Sequence, residues 1–176
     1  MNCGKKKRVL IFFTIAWLLF SISFSAVINS IYLNEPNLPS WVDFFQNIAS
    51  MTGYSTSSGL GYIADIYYAL VPLIYPLTAI ISHLAILYED DGQYSDWALR
   101  PRDFPQKIGG LALGGVLVIF SILGLTAFAG QGNRYLYIAK EFWSMASNGW
   151  IFFAVTGALL GAGSSFIKIS LIKNNR

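Results

Sequence analysis

The sequence predicts an all-α integral membrane protein with four transmembrane helices, and three observations lead to that prediction. Of its 176 residues, 55% are hydrophobic and only 12% are charged, whereas soluble domains carry about 25% charged residues. The mean hydropathy is +0.52. Four apolar segments are each long enough to cross a hydrocarbon core about 30 Å thick, which takes about 20 helical residues. This composition argues against a disordered chain, a coiled coil and a nucleic-acid binder.

The four predicted spans cover residues 9–28, 66–88, 108–128 and 150–171, and we expect them to form one domain over residues 1–176. Each span must be helical, because a segment in lipid has to satisfy its own backbone hydrogen bonds. Ten of the 12 Lys and Arg residues lie before the first span, between the second and third, or at the end of the chain. The positive-inside rule therefore predicts cytoplasmic termini, with loops 29–65 and 129–149 outside.

The first outer loop contains an amphipathic helical pattern over residues 40–51. Trp41, Phe44, Phe45 and Ile48 follow one another at i, i+3, i+4 and i+7, and Asp43 is among the polar residues on the other side. A short helix with such a face lies in the membrane interface or packs on the protein. We therefore predict an interfacial helix whose aromatic residues make these contacts.

Residues 52–61 follow that helix and precede the second span. They begin Thr52-Gly53-Tyr54, and a short helix, a Thr-Gly-Tyr loop and a span in succession resemble the pore loop of potassium channels. The resemblance implies a role for this loop in ion or solute permeation.

The second span contains two prolines, Pro72 and Pro76, so two successive turns each lose a hydrogen bond and a kink is expected. Asp65 and His83 flank them, eighteen residues or five helical turns apart and about 27 Å along the axis. Two readings remain open. Either this face forms a polar path through the membrane, or both ionisable side chains are hydrogen-bonded near the interfaces.

The third and fourth spans contain small residues at helical spacing, Gly110 with Gly114 and Gly157 with Gly161. Such pairs allow two helix backbones to approach closely in lipid. We expect these two neighbouring spans to pack on each other through them. Further small residues widen both surfaces: Gly109, Gly115, Ala158, Ala162 and Gly163. Because these exceed what one contact needs, a second partner in the membrane plane is also predicted.

The residues required for most catalytic chemistry are missing from the sequence. There is one Cys and one His, which argues against an intrachain disulfide, a zinc site and haem held by two histidines. No phosphate-binding loop is present. We therefore predict no catalytic residues, no metal, no cofactor and no enzymatic activity.

Two classes of function remain, and both have the lipid bilayer as an environment. The first is an accessory or regulatory protein that docks on another integral membrane protein or on itself. Within that class, Leu38-Pro39-Ser40 and Asp65-Ile66-Tyr67, followed by a proline in span two, resemble the immunity proteins that protect bacteria from pore-forming colicins. That resemblance implies four spans, cytoplasmic termini and the bacterial inner membrane. The second class is a small permeation unit that uses the proline-kinked span and loop 52–61.

Overall fold

The computed structural model describes residues 3–32, 40–51, 62–130 and 142–172, and these residues are overwhelmingly helical, with no strand among them. The all-α prediction is confirmed. The helices are α1 Cys3–Tyr32, α2 Ser40–Met51, α3 Tyr62–Leu70, α4 Ile74–Leu87, α5 Asp96–Leu99, α6 Phe104–Gly130 and α7 Phe142–Leu171. Four stretches are long and apolar enough to cross a membrane, which confirms the four predicted spans: Cys3–Ile28, Ile66–Leu87, Phe104–Leu125 and Gly149–Leu171.

Two helices begin well before the apolar segments that they contain. Helix α1 starts at Cys3 and α7 at Phe142, whereas the apolar segments start near residues 9 and 150. Helix α1 extends through Lys5–Arg8, because Lys and Arg have high helix propensity and each added residue continues an existing hydrogen-bond ladder.

The second span is interrupted, as its prolines predict. Helices α3 and α4 are joined by a 3-10 turn at Val71–Leu73 that contains Pro72. Pro76 is the third residue of α4, within the first turn, where a backbone N–H has no partner inside the helix. The break therefore lies at the first proline, and the second is accommodated without a further one.

The 3-10 turn is also where α1 contacts the second span. The Ile74 N–H donates to the Val71 carbonyl, three residues back, as in a 3-10 helix. The indole Nε1–H of Trp17 in α1 donates to Leu70 O at 2.9 Å. A side chain of the first span thus bonds to a carbonyl at the start of the turn, where hydrocarbon offers no water, and joins α1 to the second span.

The chain divides into two compact units, each with parts of several helices. One consists of Met1–Thr14, Tyr75–Gly124 and Ala154–Arg176, and the other of Ile15–Ile74 and Leu125–Phe153. We call them the first and second units.

In the second unit, α2 packs on α1 through aromatic rings. The ring of Phe24 lies 6.3 Å from that of Trp41 and 6.1 Å from that of Phe45, centroid to centroid. Phe44 is 60% exposed. The amphipathic pattern thus forms the helix it predicts, and two of its three aromatic residues contact the first span.

In the first unit, the connection between α4 and α6 is folded. An isolated β-bridge pairs Tyr88 with Tyr94, and Gly92 takes a positive φ of 95° in the turn between them, a conformation that glycine adopts without steric cost. Ser95 then caps α5 by accepting a hydrogen bond from the Ala98 N–H. Ala98 packs in a small core with Leu87 and Ile169.

Candidate functional site

The candidate site consists of the faces that α4, α6 and α7 present within the first unit. On α6, Gly114 lies directly against the backbone of α7. A Cβ added to Gly114 would lie 2.7 Å from Gly163 O and 2.7 Å from Ile167 Cγ1, and a Cβ on Gly163 would lie 2.7 Å from Gly114 O. A Cβ added to Gly110 would collide with the Ser170 hydroxyl, which occupies the space beside this glycine. Gly114 therefore allows two backbones to touch, and Gly110 makes room for a side chain of α7.

Gly157 and Gly161 face α4 instead of α6, so the expected partner of this pair is corrected. A Cβ on Gly157 would collide with Thr78 Oγ1 and the Tyr75 carbonyl, and one on Gly161 with the Ala79 carbonyl. The physical reason is helix geometry. Gly163 follows Gly161 by two residues, about 200° around the axis, so the two glycines lie on opposite faces of α7, towards α4 and towards α6.

Hydroxyl groups connect the same three helices. Tyr75 Oη and Ser121 Oγ are 3.0 Å apart, and Ser121 Oγ donates to the Thr156 carbonyl at 2.8 Å. Ser82 Oγ donates to the Ala158 carbonyl at 3.1 Å. Sequence analysis did not single out these residues, although hydroxyls inside an apolar span are a recognised sign of helix–helix hydrogen bonding.

His83 also connects α4 to α7. Its Nδ1 lies 2.9 Å from Ser164 Oγ and 3.1 Å from Ser165 Oγ. Both serine hydroxyls donate to the Gly161 carbonyl, so they can only accept from the ring, and the tautomer with a proton on Nδ1 fits them. His83 is thus hydrogen-bonded between α4 and α7, while the polar path through Asp65, Pro72, Pro76 and His83 stays a prediction. The side chain of Asp65 lies outside the described residues.

The outward face of α6 differs from its inward face. We define it as Gly109, Ala112, Gly115, Val116, Ile119 and Leu123. A Cβ added to Gly109 or to Gly115 would meet no described atom within 4 Å. Within the apolar window of α6, 11% of the residues are buried, against 33% for α7. The small residues of α6 thus serve two faces, and one of them has no described neighbour.

Two lysine side chains of the first unit bind the turn at residues 88–94. Lys168 Nζ donates to the Tyr88 hydroxyl at 3.1 Å and lies 5.5 and 5.4 Å from the ring centroids of Tyr88 and Tyr94. The pKa of Tyr94 is lowered, chiefly by the hydrogen bond from the Tyr88 hydroxyl and to a smaller extent by the one from Lys168. Lys7 Nζ donates to the Tyr88 carbonyl at 2.7 Å and lies 3.4 Å from Asp90 Oδ1. Together they attach α1 and α7 to this turn.

Arg102 stabilises the end of α5. Its guanidinium donates to the carbonyls of Trp97 at 2.8 Å and Ala98 at 3.2 Å, which the short helix leaves unpaired. It also lies 5.2 Å from the Trp97 ring centroid. Partial burial, and then the charge of Arg100, lower the pKa of Arg102.

The described residues contain no group of three or more His, Cys, Asp or Glu side chains that could hold a metal ion. Comparison with protein-family models, with curated proteins and with solved structures finds no match to this chain. Loop 52–61 and residues 33–39, which carry the potassium-channel resemblance and part of the immunity-protein resemblance, lie outside the described residues.

Proposed function

We propose that this protein is a non-enzymatic accessory or regulatory subunit that docks on another integral membrane protein through the outward face of α6. The observation that carries the proposal is the pair Gly109 and Gly115, which leave open space beside a membrane-spanning helix.

A glycine that faces open space inside a span makes the helix less stable, and a helix–helix contact offsets this loss of stability. In a helix interior, glycine is about 1 kcal/mol less favourable than alanine, and towards lipid it offers no side chain for van der Waals contact. Where a second helix packs, the missing Cβ allows the backbones to approach, and this contact drives association in lipid. The α7 glycines Gly157, Gly161 and Gly163 each already have a neighbouring helix. Among the described residues, neither Gly109 nor Gly115 has one, and both lie on the span with the lowest buried share.

The hydrogen bonds of the first unit favour docking over permeation. The hydroxyls of Ser82 and Ser121 and the ring of His83 are all engaged in contacts between helices. Polar groups that line a water-filled path are hydrated, whereas groups that join helices are paired with protein. Pairing of this kind supports a packed structure. The proposal includes residence in a bacterial inner membrane, which rests on the distribution of Lys and Arg and on the sequence resemblance to immunity proteins.

The proposal is tested by the substitution Gly115→Leu. We expect it to leave folding intact, because a Cβ at this position meets open space, and to abolish co-purification with the partner from native membranes. Val155→Phe is the matched control. It enlarges an exposed residue of another membrane-spanning helix, α7, outside the outward face of α6, and we expect it to keep the partner.

Liposomes containing the purified protein supply the second readout. We expect no ion flux into these liposomes. We also expect variants that change charge alone to keep the partner. A homo-oligomer that conducts ions, or a partner retained equally by Gly115→Leu and by the wild type, would contradict it.

A further inference from the structure

A cavity of about 330 Å³ lies in the first unit between the start of α1 and the turn that follows α4. Its described lining residues are Cys3, Lys6, Leu84, Tyr88 and Gly92. This volume is at the lower end of the range for small-molecule sites, about 300–1,000 Å³. It is large enough for a polar headgroup and too small for another helix.

The cavity lies at the ends of two stretches that are long and apolar enough to cross a membrane. The first candidate span begins at Cys3 and the second ends at Leu87, so the lining residues occupy the ends of two neighbouring membrane-spanning stretches. At the boundary of the hydrocarbon core, the molecules in highest local concentration are phospholipids. The cavity is therefore open to a ligand that is always present beside it.

Lys6 gives the cavity its charge. Its neighbour Lys7 is paired with Asp90 at 3.4 Å and with the Tyr88 carbonyl at 2.7 Å. Lys6 is exposed and makes no hydrogen bond or ion pair with the described residues. The two ammonium groups thus differ in function, since one attaches α1 to the turn and the other is available to a ligand.

The acidic residues of the turn do not cancel this charge inside the cavity. Asp90 pairs with Lys7, and Asp91 Oδ1 accepts from the Gln93 N–H at 2.9 Å. Glu89 is exposed. None of these three carboxylates is among the described lining residues. The described lining therefore presents a cation and a tyrosine and no carboxylate.

The walls of the cavity are held in place by backbone hydrogen bonds. The Gly4 N–H donates to the Asp90 carbonyl at 2.8 Å. A Cβ on Gly4 would come 2.9 Å from Asp90 Cβ, so α1 and the turn are in close contact there. Gly92 approaches Cys3, where a Cβ would lie 3.7 Å from Cys3 Cβ. The cavity is a defined space between two attached segments.

We propose that this cavity binds the phosphate headgroup of an anionic phospholipid, with Lys6 as the cationic ligand. Basic pockets between membrane helices at the cytoplasmic side bind anionic headgroups, and the positive-inside pattern assigns this end of the spans to the cytoplasm. Phosphate is the shared chemistry of a lipid headgroup and of free inorganic phosphate. The position of the cavity at the membrane boundary favours the lipid. This inference is independent of docking through α6.

The test uses the full chain in nanodiscs that contain equal amounts of phosphatidylglycerol and phosphatidylcholine. Native mass spectrometry after release from the disc measures the ratio of the two lipids retained on the protein. We expect the wild type to retain phosphatidylglycerol preferentially. Lys6→Gln should lower the ratio at least tenfold, because a hydrogen bond to a charged group is lost together with the charge.

Lys5→Gln is the matched control. Lys5 precedes Lys6 in the chain and carries the same charge, but its side chain is not among those that line the cavity. The general attraction of anionic lipid to a juxtamembrane lysine changes the lipid ratio about fivefold. The ratio measured for Lys5→Gln should therefore fall by no more than that. Equal losses in the two variants, or no preference for phosphatidylglycerol in the wild type, would overturn the proposal.

Two further arms separate the site from general electrostatics and from free phosphate. Leu84→Phe narrows the cavity without changing any charge, and we expect it to reduce the retained phosphatidylglycerol. Retention at the wild-type level in Leu84→Phe would contradict a site inside the cavity. Inorganic phosphate should displace no more lipid than chloride at equal ionic strength. Specific displacement by phosphate would assign the cavity to the free ion and refute the lipid.

Discussion

The adjacent glycines Gly114 and Gly115 provide the sharpest test of the packing that the structure shows. Replacing either by alanine adds one methyl group and the same gain in helix propensity, about 1 kcal/mol. The added Cβ at Gly114 would lie 2.7 Å from Gly163 O, whereas at Gly115 it would meet no atom of the described residues within 4 Å. The difference between the two variants therefore isolates the contact with α7.

The expected magnitude follows from that distance. Ordinary contact of a Cβ begins near 3.4 Å, so α6 and α7 must separate by about 0.7 Å, and the contacting atom is backbone, which cannot rotate away. Gaps of this size lose a quarter to a half of each dispersion contact along the seam, and overpacking of this kind costs about 1–3 kcal/mol. We expect Gly114→Ala to be less stable than Gly115→Ala by about 1–3 kcal/mol.

The assay is reversible unfolding of both variants in mixed micelles of a mild detergent and sodium dodecyl sulfate, followed by circular dichroism. Gly115→Ala should equal or exceed the wild-type free energy of unfolding. Equal stabilities for the two variants would refute the reasoning, because the propensity gain is common to both and only the contact distinguishes them.

Three further predictions concern other contacts and the topology. His83→Gln keeps a hydrogen-bonding side chain between α4 and α7, so unfolding free energy should fall by less than about 1.5 kcal/mol and partner binding should persist in a pull-down. Trp17→Phe removes the 2.9 Å hydrogen bond from the indole to Leu70 O and should cost about 0.5–1.5 kcal/mol in the same unfolding assay. In a cysteine-free background, Ser57→Cys and Glu89→Cys should react with an impermeant maleimide from opposite sides of the membrane; labelling from one side would overturn the predicted topology.

The spans were predictable because lipid leaves the backbone few alternatives. An apolar segment of about 20 residues must form a helix, and Pro72 must interrupt one, since it lacks the N–H that a regular turn needs. These constraints act within a single segment. They require no knowledge of which helices are neighbours, and so they can be read from composition and spacing.

The helix that each small residue contacts could not be predicted from a single segment. Gly157 and Gly161 contact α4, while Gly163, two residues further, contacts α6. Glycine at i and i+4 indicates that some helix approaches, and the identity of that helix depends on how three helices arrange. Ser121 likewise bonds to the Thr156 carbonyl, a pairing that no local pattern specifies.

The inner connection shows a local signal that sequence analysis did not use. Asp91-Gly92 is a dipeptide favoured in tight turns, and Ser95 is a preferred helix N-cap. They form the turn and the short helix α5. The composition of this segment is polar, and composition alone does not identify the hydrogen bonds that order it.

The most direct test of docking through the outward face of α6 is a photo-crosslinker placed in turn at each position from 108 to 123, in native membranes. We predict adducts with a different integral membrane protein, with yields that repeat every three to four residues. They should peak at Ala112, Val116, Ile119 and Leu123, and be lowest at Gly114 and Ser121, which contact α7. Uniform yields around the helix, or adducts formed with a second copy of this chain alone, would contradict the account.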